Sequence, residues 1–509
     1  MSVWPGRLAR AGSGVLVLGV VGAVAAGSWL LPVPEEEPLA ARLVPVPAAP
    51  TTLVCPGPIV LPQGDDLADP EFDPAPVDSR DSVTFAAATA PGGPALLEVR
   101  PLGADGAASS LRADGAEQPV VVGELDRALV ARAEPVGEDL APVAGSVLSL
   151  VTAGDLRGTT AAACQHPASE VWLVGGGTEL GATSILLVHN PGATPAEVTV
   201  EMWGPAGPVE LGSGARRVVP AGGDVSLRLS ALAAELSGTV VRVTSAGGQV
   251  TAFLQVSELD GFTPGGADLV VPGAAPVERQ LLGPLVVRES EVGDPEAATL
   301  RLLAPEAEED VTVRLRFLGE SGEVALPGTE DVELLPGEVL DVDLGGLPAG
   351  SYGVLVEASA PVLAGARVVR VGRPGEGGGP SPVELTWVPA GATDGERLLA
   401  VPGGVTAAAV VTADPGGRTV RGTLRAIDAG GSVLLEEELA VPAGRTVRLV
   451  LPEGARSVVL DAEGALVWGV LTGVVRPEGT LLSVLVPPLH PAALEAVSVR
   501  DGQRLPQRP

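Results

Sequence analysis

One pattern, written three times, constrains this chain more than any other feature. A turn with a proline and a glycine (Pro220 and Gly222, Pro336 and Gly337, Pro442 and Gly444) is followed each time by apolar residues at every second position. The first copy continues with Val225, Leu227 and Leu229, the second with Leu340, Val342 and Leu344, and the third with Val447, Leu449 and Leu451. Between them stand Ser226 and Arg228, Asp341 and Asp343, and Arg448 and Val450, which are mostly polar. Successive side chains of a strand point to opposite sides, so a period of two marks one buried and one wet face.

A second landmark precedes each turn by about thirty residues, room for two short strands and their loops. It is an apolar strand that stops at a proline, at His189-Asn190-Pro191, Leu303-Ala304-Pro305 and Ala413-Asp414-Pro415. In the second copy the next strand alternates cleanly, with Val311, Val313, Leu315 and Phe317 facing in and Thr312, Arg314 and Arg316 facing out. Downstream, β-rich runs flank short turns at Ala246-Gly247-Gly248, Ser359-Ala360-Pro361 and Ala462-Glu463-Gly464, and each reads as a hairpin.

Copies of roughly 100–115 residues are too long for propeller blades or solenoid repeats and suit sandwich domains. The expected fold is all-β, with tandem immunoglobulin-like β-sandwich modules following one N-terminal transmembrane helix. The modules span 166–275, 276–389 and 390–488. Residues 55–165 form a more diverged β module, and 489–509 a C-terminal tail. Ser230 to Leu236 is the clearest helix candidate outside the membrane segment. With 46% hydrophobic residues, and 68 glycines and 49 prolines scattered between apolar runs, the chain is globular rather than disordered.

Ala11 to Val33 carries no charge and follows Arg7 and Arg10. A membrane span needs ~20 apolar residues. Trp4 and Trp29 bracket the run, as indoles do at membrane interfaces, and the arginines before it place the N-terminus in the cytoplasm. Residues 1–33 are therefore read as a short cytoplasmic segment and an anchor. A cleaved signal peptide is the alternative, since Ala23-Val24-Ala25 has the small-x-small form of a cleavage site. Either reading exports the rest. The proline-punctuated stretch 34–54 is expected to act as an irregular stalk.

The two cysteines, Cys55 and Cys164, fit an oxidising exterior, where an isolated pair forms a disulfide. That bridge would close module 55–165 end to end. Metal binding is the weaker alternative, because His166, His189 and His490 are scattered and no CxxC exists.

Catalytic and cofactor motifs are missing. Gly175-Gly176-Gly177 follows a strand-like run, but Leu180 stands where a dinucleotide loop needs its third glycine. A strand rather than a helix follows, so no helix N-terminus can hold a pyrophosphate, and a hairpin turn is expected. There is no G-x-S-x-G elbow, no H-E-x-x-H and no P-loop. His189 reads as a turn residue. The acidic stretch with Asp65, Asp66, Asp69, Glu71, Asp73 and Asp78 lacks EF-hand spacing and reads as a solvated loop rather than a calcium site. Trp172, Trp203, Trp387 and Trp468 lie in apolar strands and are expected in the core. A net charge of -31 repels phosphate backbones and excludes nucleic acid as a partner.

The arrangement resembles an uncharacterised family of actinobacterial envelope proteins, defined as a domain of unknown function. The likeness rests on the N-terminal span, on Cys55-Pro56-Gly57-Pro58 with Cys164, on Trp172-Leu173-Val174-Gly175-Gly176-Gly177, and on Leu187-Val188-His189-Asn190-Pro191 with the later Val-Pro-Gly turns. The resemblance implies an exported, membrane-attached protein and lends no catalytic residue. The function expected is therefore that of a single-pass extracytoplasmic structural or interaction protein, without catalysis or cofactor. Its partners would be envelope proteins or cell-wall polymers. A carbohydrate-binding accessory protein and an unrecognised hydrolase are the rivals.

Overall fold

A computed structural model describes residues 42–45, 48–61, 79–90, 93–103, 109–112, 120–137, 140–261, 263–374, 381–393, 397–477, 479–489 and 496–499. These fall into two compact units, Ala48–Ala493 and a smaller one made of Met1–Pro47 with Leu494–Pro509. In the smaller unit Arg42–Pro45 pairs antiparallel with Ala496–Val499. Arg42–Pro45 and the start of another strand, Thr51–Cys55, thus fall in the stretch read as an irregular stalk, and Ala496–Val499 falls in the C-terminal tail. The expected anchor Ala11 to Val33, the acidic residues Asp65 to Asp78 and His490 lie outside the described residues. Among the described residues no helix is long and apolar enough to cross a membrane.

The large unit is all-β, built from small antiparallel sheets. Four copies share one pairing order over eight strand positions. In each, the first strand pairs with the sixth, the sixth with the third, and the third with the fourth. A second layer joins the fifth to the second, the second to the seventh, and the seventh to the eighth. The diverged first copy begins at Thr51–Cys55 and ends at Gly158–Ala163, with all six pairings present. The second copy runs from Glu170–Val174 to Thr263–Val270. The third runs from Val277–Val287 to Val383–Gly391. The fourth runs from Leu398–Ala400 to Gly479–Leu485.

The repeated turns have one job. Gly222, Gly337 and Gly444 all take left-handed backbone, with φ of 61°, 71° and 73°. In that conformation each glycine N–H donates back to the proline landmark, to the carbonyls of Gly192, Ala304 and Ala413 at 2.9, 2.9 and 3.1 Å. The alternating stretch that follows becomes the fifth strand and lies beside the second. Its last apolar residues, Leu229, Leu344 and Leu451, are buried.

Two expectations are corrected. The turns read as hairpins instead carry the chain across the core. Val240–Ala246 pairs with Ala196–Gly204, whereas Thr251–Asp260 pairs with Ala182–His189 in the other layer. In the third copy one long strand, Gly350–Val371, makes the same crossing without a break and merges both layers into one sheet. A turn between two apolar runs looks the same in sequence whether the runs pair or face each other. The helix expected at Ser230 to Leu236 is a single 3-10 turn, Leu229–Ala231. Residue Glu235 then takes φ 62°, which an α-helix forbids.

The copies are not beads on a string. The core of the second copy is completed by Leu385 and Trp387 from the third. One layer of the fourth copy is buried on both sides. Ala409, Val411, Val470 and Leu485 enter its own core, while Val410, Leu471 and Val484 join the cluster holding Leu282 and Leu285 of the third copy. That is why Thr406–Ala413 reads as a continuous apolar run rather than an alternating one.

Candidate functional site

The eighth strands of the four copies converge. Gly158–Ala163 packs on Thr263–Val270 and on Gly479–Leu485, and Val383–Gly391 packs on the last two. Three of these strands are sheet edges, whose free N–H and C=O groups must find partners once buried. Side chains of neighbouring copies supply them. Glu384 accepts from the Thr159 N–H at 2.8 Å, and Asp268 accepts from the Trp387 N–H at 2.7 Å. Thr160 donates to the Ala267 carbonyl at 3.3 Å, and Ser483 accepts from the Ala161 N–H at 2.9 Å. Burial pushes the Asp268 carboxyl up to about 7, against the backbone N–H groups of Trp387 and Leu269. Burial likewise raises Glu384 well above the usual carboxyl range, with the Thr159 N–H opposing and the Asp268 charge adding to the rise. Burial disfavours the charged form of both carboxyls, as two acids sharing an apolar junction require.

Arg301, in Thr299–Leu303, ties the third copy to the second. It is buried and holds both oxygens of Asp341 at 2.7 Å, while donating to the Gly176 and Thr239 carbonyls at 2.5 and 3.2 Å. This is the use of the glycine run. A Cβ on Gly175 would meet Val270 at 2.8 Å, and one on Gly176 would meet the Ser184 hydroxyl at 2.5 Å. The loop crosses between layers, rather than turning a hairpin, and its second glycine accepts a guanidinium instead of leaving donors for a phosphate. Between the third and fourth copies, Arg279 grips both oxygens of Asp414 at 2.6 Å. That hydrogen bonding holds Asp414 below the ordinary carboxylate range. Asn190, the corresponding landmark residue of the second copy, uses its amide locally, on the Thr194, Val219 and Pro220 carbonyls.

Cys55 and Cys164 form a disulfide, both buried, joining the end of the first strand to the residue after the eighth. His189 ends its strand buried, edge-on to Phe253, and burial drives it down to about 4 with the Asp224 charge pulling weakly upward. His166 is buried 3.1 Å from the Thr52 carbonyl. Trp172, Trp203, Trp387 and Trp468 are all buried, so none offers an exposed ring face. No group of three metal-ligating side chains gathers among the described residues.

One feature was not legible in the sequence. Arg288, Arg370 and Arg448 line a cavity of about 260 Å3 between the third and fourth copies, together with Thr406, Thr472 and Thr480. The arginines stand at outward strand positions or just past a strand end and look like solvated surface. The hub residues did leave a signal, since Thr160, Asp268, Glu384 and Ser483 are polar intrusions in the last apolar strand of each copy.

The family model DUF5719, described as a family of unknown function, matches residues 120–452. The chain belongs to this family. The DUF5719 match begins at the fifth strand of the first copy and ends just after the fifth strand of the fourth, so it takes in Asp268, Arg301, Glu384 and all three cavity arginines. No curated protein matches the chain. Among solved structures, Thermotoga maritima 1070 aligns at 19% identity over 23% of this chain and 93% of its own, with a TM-score of 0.18. The Streptomyces avermitilis alpha-L-rhamnosidase complexed with L-rhamnose aligns at 11% identity over 74% of this chain and 55% of its own, with a TM-score of 0.12. The pilus adhesin SpaC from Lactobacillus rhamnosus GG aligns at 9% identity over 61% and 42%, with a TM-score of 0.10. At such scores none of the three bears on what a DUF5719 chain does.

Proposed function

We propose that this chain is a non-enzymatic structural and interaction protein of the cell envelope. It is held to the outer face of the cytoplasmic membrane by Ala11 to Val33, with the bulk of the chain outside. Its four copies are immunoglobulin-like sandwiches, and they act as one block. The observation that carries the reading is the use of the buried polar groups. Glu384, Asp268 and Arg301 each join one copy to another, as does buried Asp414 through the exposed Arg279, so the buried charged groups are spent on architecture. A buried disulfide in a chain with two cysteines agrees with an oxidising compartment. A rigid block presents loops in fixed positions, which suits a scaffold that holds partners such as envelope proteins or wall polymers.

The experiment is fractionation of cells making the full chain, followed by external protease on spheroplasts and on lysed cells. The expected result is recovery in the membrane fraction, with digestion from outside. Limited proteolysis of the purified chain should leave a core containing all four copies together. Recovery in the cytosol, or release of single copies as stable fragments, would overturn the proposal.

A further inference from the structure

We propose that the cleft between the third and fourth copies is a binding site for a single phosphoryl-type oxyanion. Arg288, Arg370 and Arg448 face one cavity of about 260 Å3, and no acidic residue lines it. This is unusual in a chain with 63 acidic and 32 basic residues. Several arginines elsewhere are matched. Arg242, Arg301, Arg316 and Arg367 each hold a carboxylate at 2.7 Å or less. Among the described residues none of the three cleft arginines does. Arg370 donates to the Val286 carbonyl at 2.6 Å and Arg288 to the Val371 carbonyl at 3.4 Å, contacts that orient the forks without neutralising them.

Three like charges around one small space repel, and the fold holds them there. Arg370 carries both burial and that repulsion. Burial, followed by the Arg288 charge, pushes its guanidinium down to about 10, with Arg448 adding to the fall and Glu296 opposing it. An oxyanion in the cavity would reverse the repulsion and meet planar forks matched to phosphate geometry. The Thr406 and Thr472 hydroxyls already donate to the Gly473 and Ser483 carbonyls, so the guanidinium groups are the donors. Drug-sized ligands occupy roughly 300–1,000 Å3, so this cleft suits one phosphoryl group with a small body. The site is independent of the scaffold reading, since it needs neither the anchor nor export.

The test uses the full chain, purified in detergent. Inorganic phosphate, glycerol 3-phosphate and dimethyl phosphate are titrated against sodium chloride at equal ionic strength, with melting and calorimetry as readouts. Saturable stabilisation by phosphate or its ester beyond that of chloride is expected. Arg448→Gln, an exposed position whose loss spares the core, should weaken binding about tenfold. Arg370→Gln should weaken it at least as much, and Arg421→Gln, outside the cleft, should leave it unchanged. Binding of dimethyl phosphate as well would point to a phosphodiester polymer, and binding of monoesters alone to a terminal phosphate. A response equal to that of chloride, or an unchanged affinity in both cleft variants, would overturn the assignment.

Discussion

The Arg301 guanidinium lies 4.8 Å from the centre of the Trp387 ring, and the backbone N–H of Trp387 donates to Asp268 at 2.7 Å. Arg301 and Trp387 come from the second and eighth strands of the third copy, Asp268 from the eighth strand of the second. The contact therefore sits at the joint between copies, where Trp387 also completes the core of the second. Stacking on an indole and a two-point grip on Asp341 both depend on the planar fork of arginine.

Replacing Arg301 should loosen that joint. Arg301→Leu takes the guanidinium from the Gly176 and Thr239 carbonyls, which keep the N–H groups of Thr239 and Gly175, and leaves Asp341 without its partner, and should cost about 2 kcal/mol. Arg301→Lys should restore less than half of the loss, because an ammonium cannot grip both oxygens. Urea midpoints of the three proteins check this, and a cost below about 1 kcal/mol for the leucine variant would contradict it.

Two kinds of buried group should make stability depend on pH in opposite senses. Asp268 has its folded pKa raised to about 7 from 3.8, so its contribution is full below the ordinary value and lost as pH rises through about 7. Glu384 acts in the same direction. His189 has its folded pKa lowered to about 4 from 6.5, so folding is penalised as pH falls from 6.5 towards 4. Above 6.5 only the carboxyls act. The melting temperature should therefore fall between about pH 6.5 and 8, and Asp268→Asn with Glu384→Gln should flatten the fall. An unchanged slope in the double variant would refute the assignment.

The disulfide should resist reduction in the folded protein, since Cys55 and Cys164 are 0% and 1% exposed. Alkylation and mass analysis after mild reductant should find no free thiol until denaturant is added. Cys55→Ser with Cys164→Ser should lower stability by up to ~4–5 kcal/mol, because the bridge closes a long loop. Labelling of native protein without denaturant would count against burial of the bridge.

The turn glycines should each be costly to replace for a backbone reason alone. A Cβ on Gly222 would meet nothing within 4 Å, and one on Gly337 or Gly444 would come no nearer than a proline at 3.4 or 3.3 Å. Alanine there should still cost roughly 1–2 kcal/mol through the left-handed φ. Thermal denaturation of the three variants should give similar losses. A neutral effect at Gly222 would show that the turn tolerates a side chain.

By itself the sequence determined the strands, the three turns, the disulfide partners and the absence of known catalytic motifs. These follow from local chemistry. Alternation at Val225, Leu227 and Leu229 defines a face, and a glycine after a proline defines a bend. Tertiary structure alone decided that Ala246-Gly247-Gly248 is a crossing and not a hairpin, that the diverged first copy shares the fold, and that Glu384 reaches Thr159. It also brought Arg288, Arg370 and Arg448 to one cavity. The physical reason is that a side chain's period reports its own strand's two faces, whereas its partner is fixed by packing between segments hundreds of residues apart, and nothing local encodes that distance.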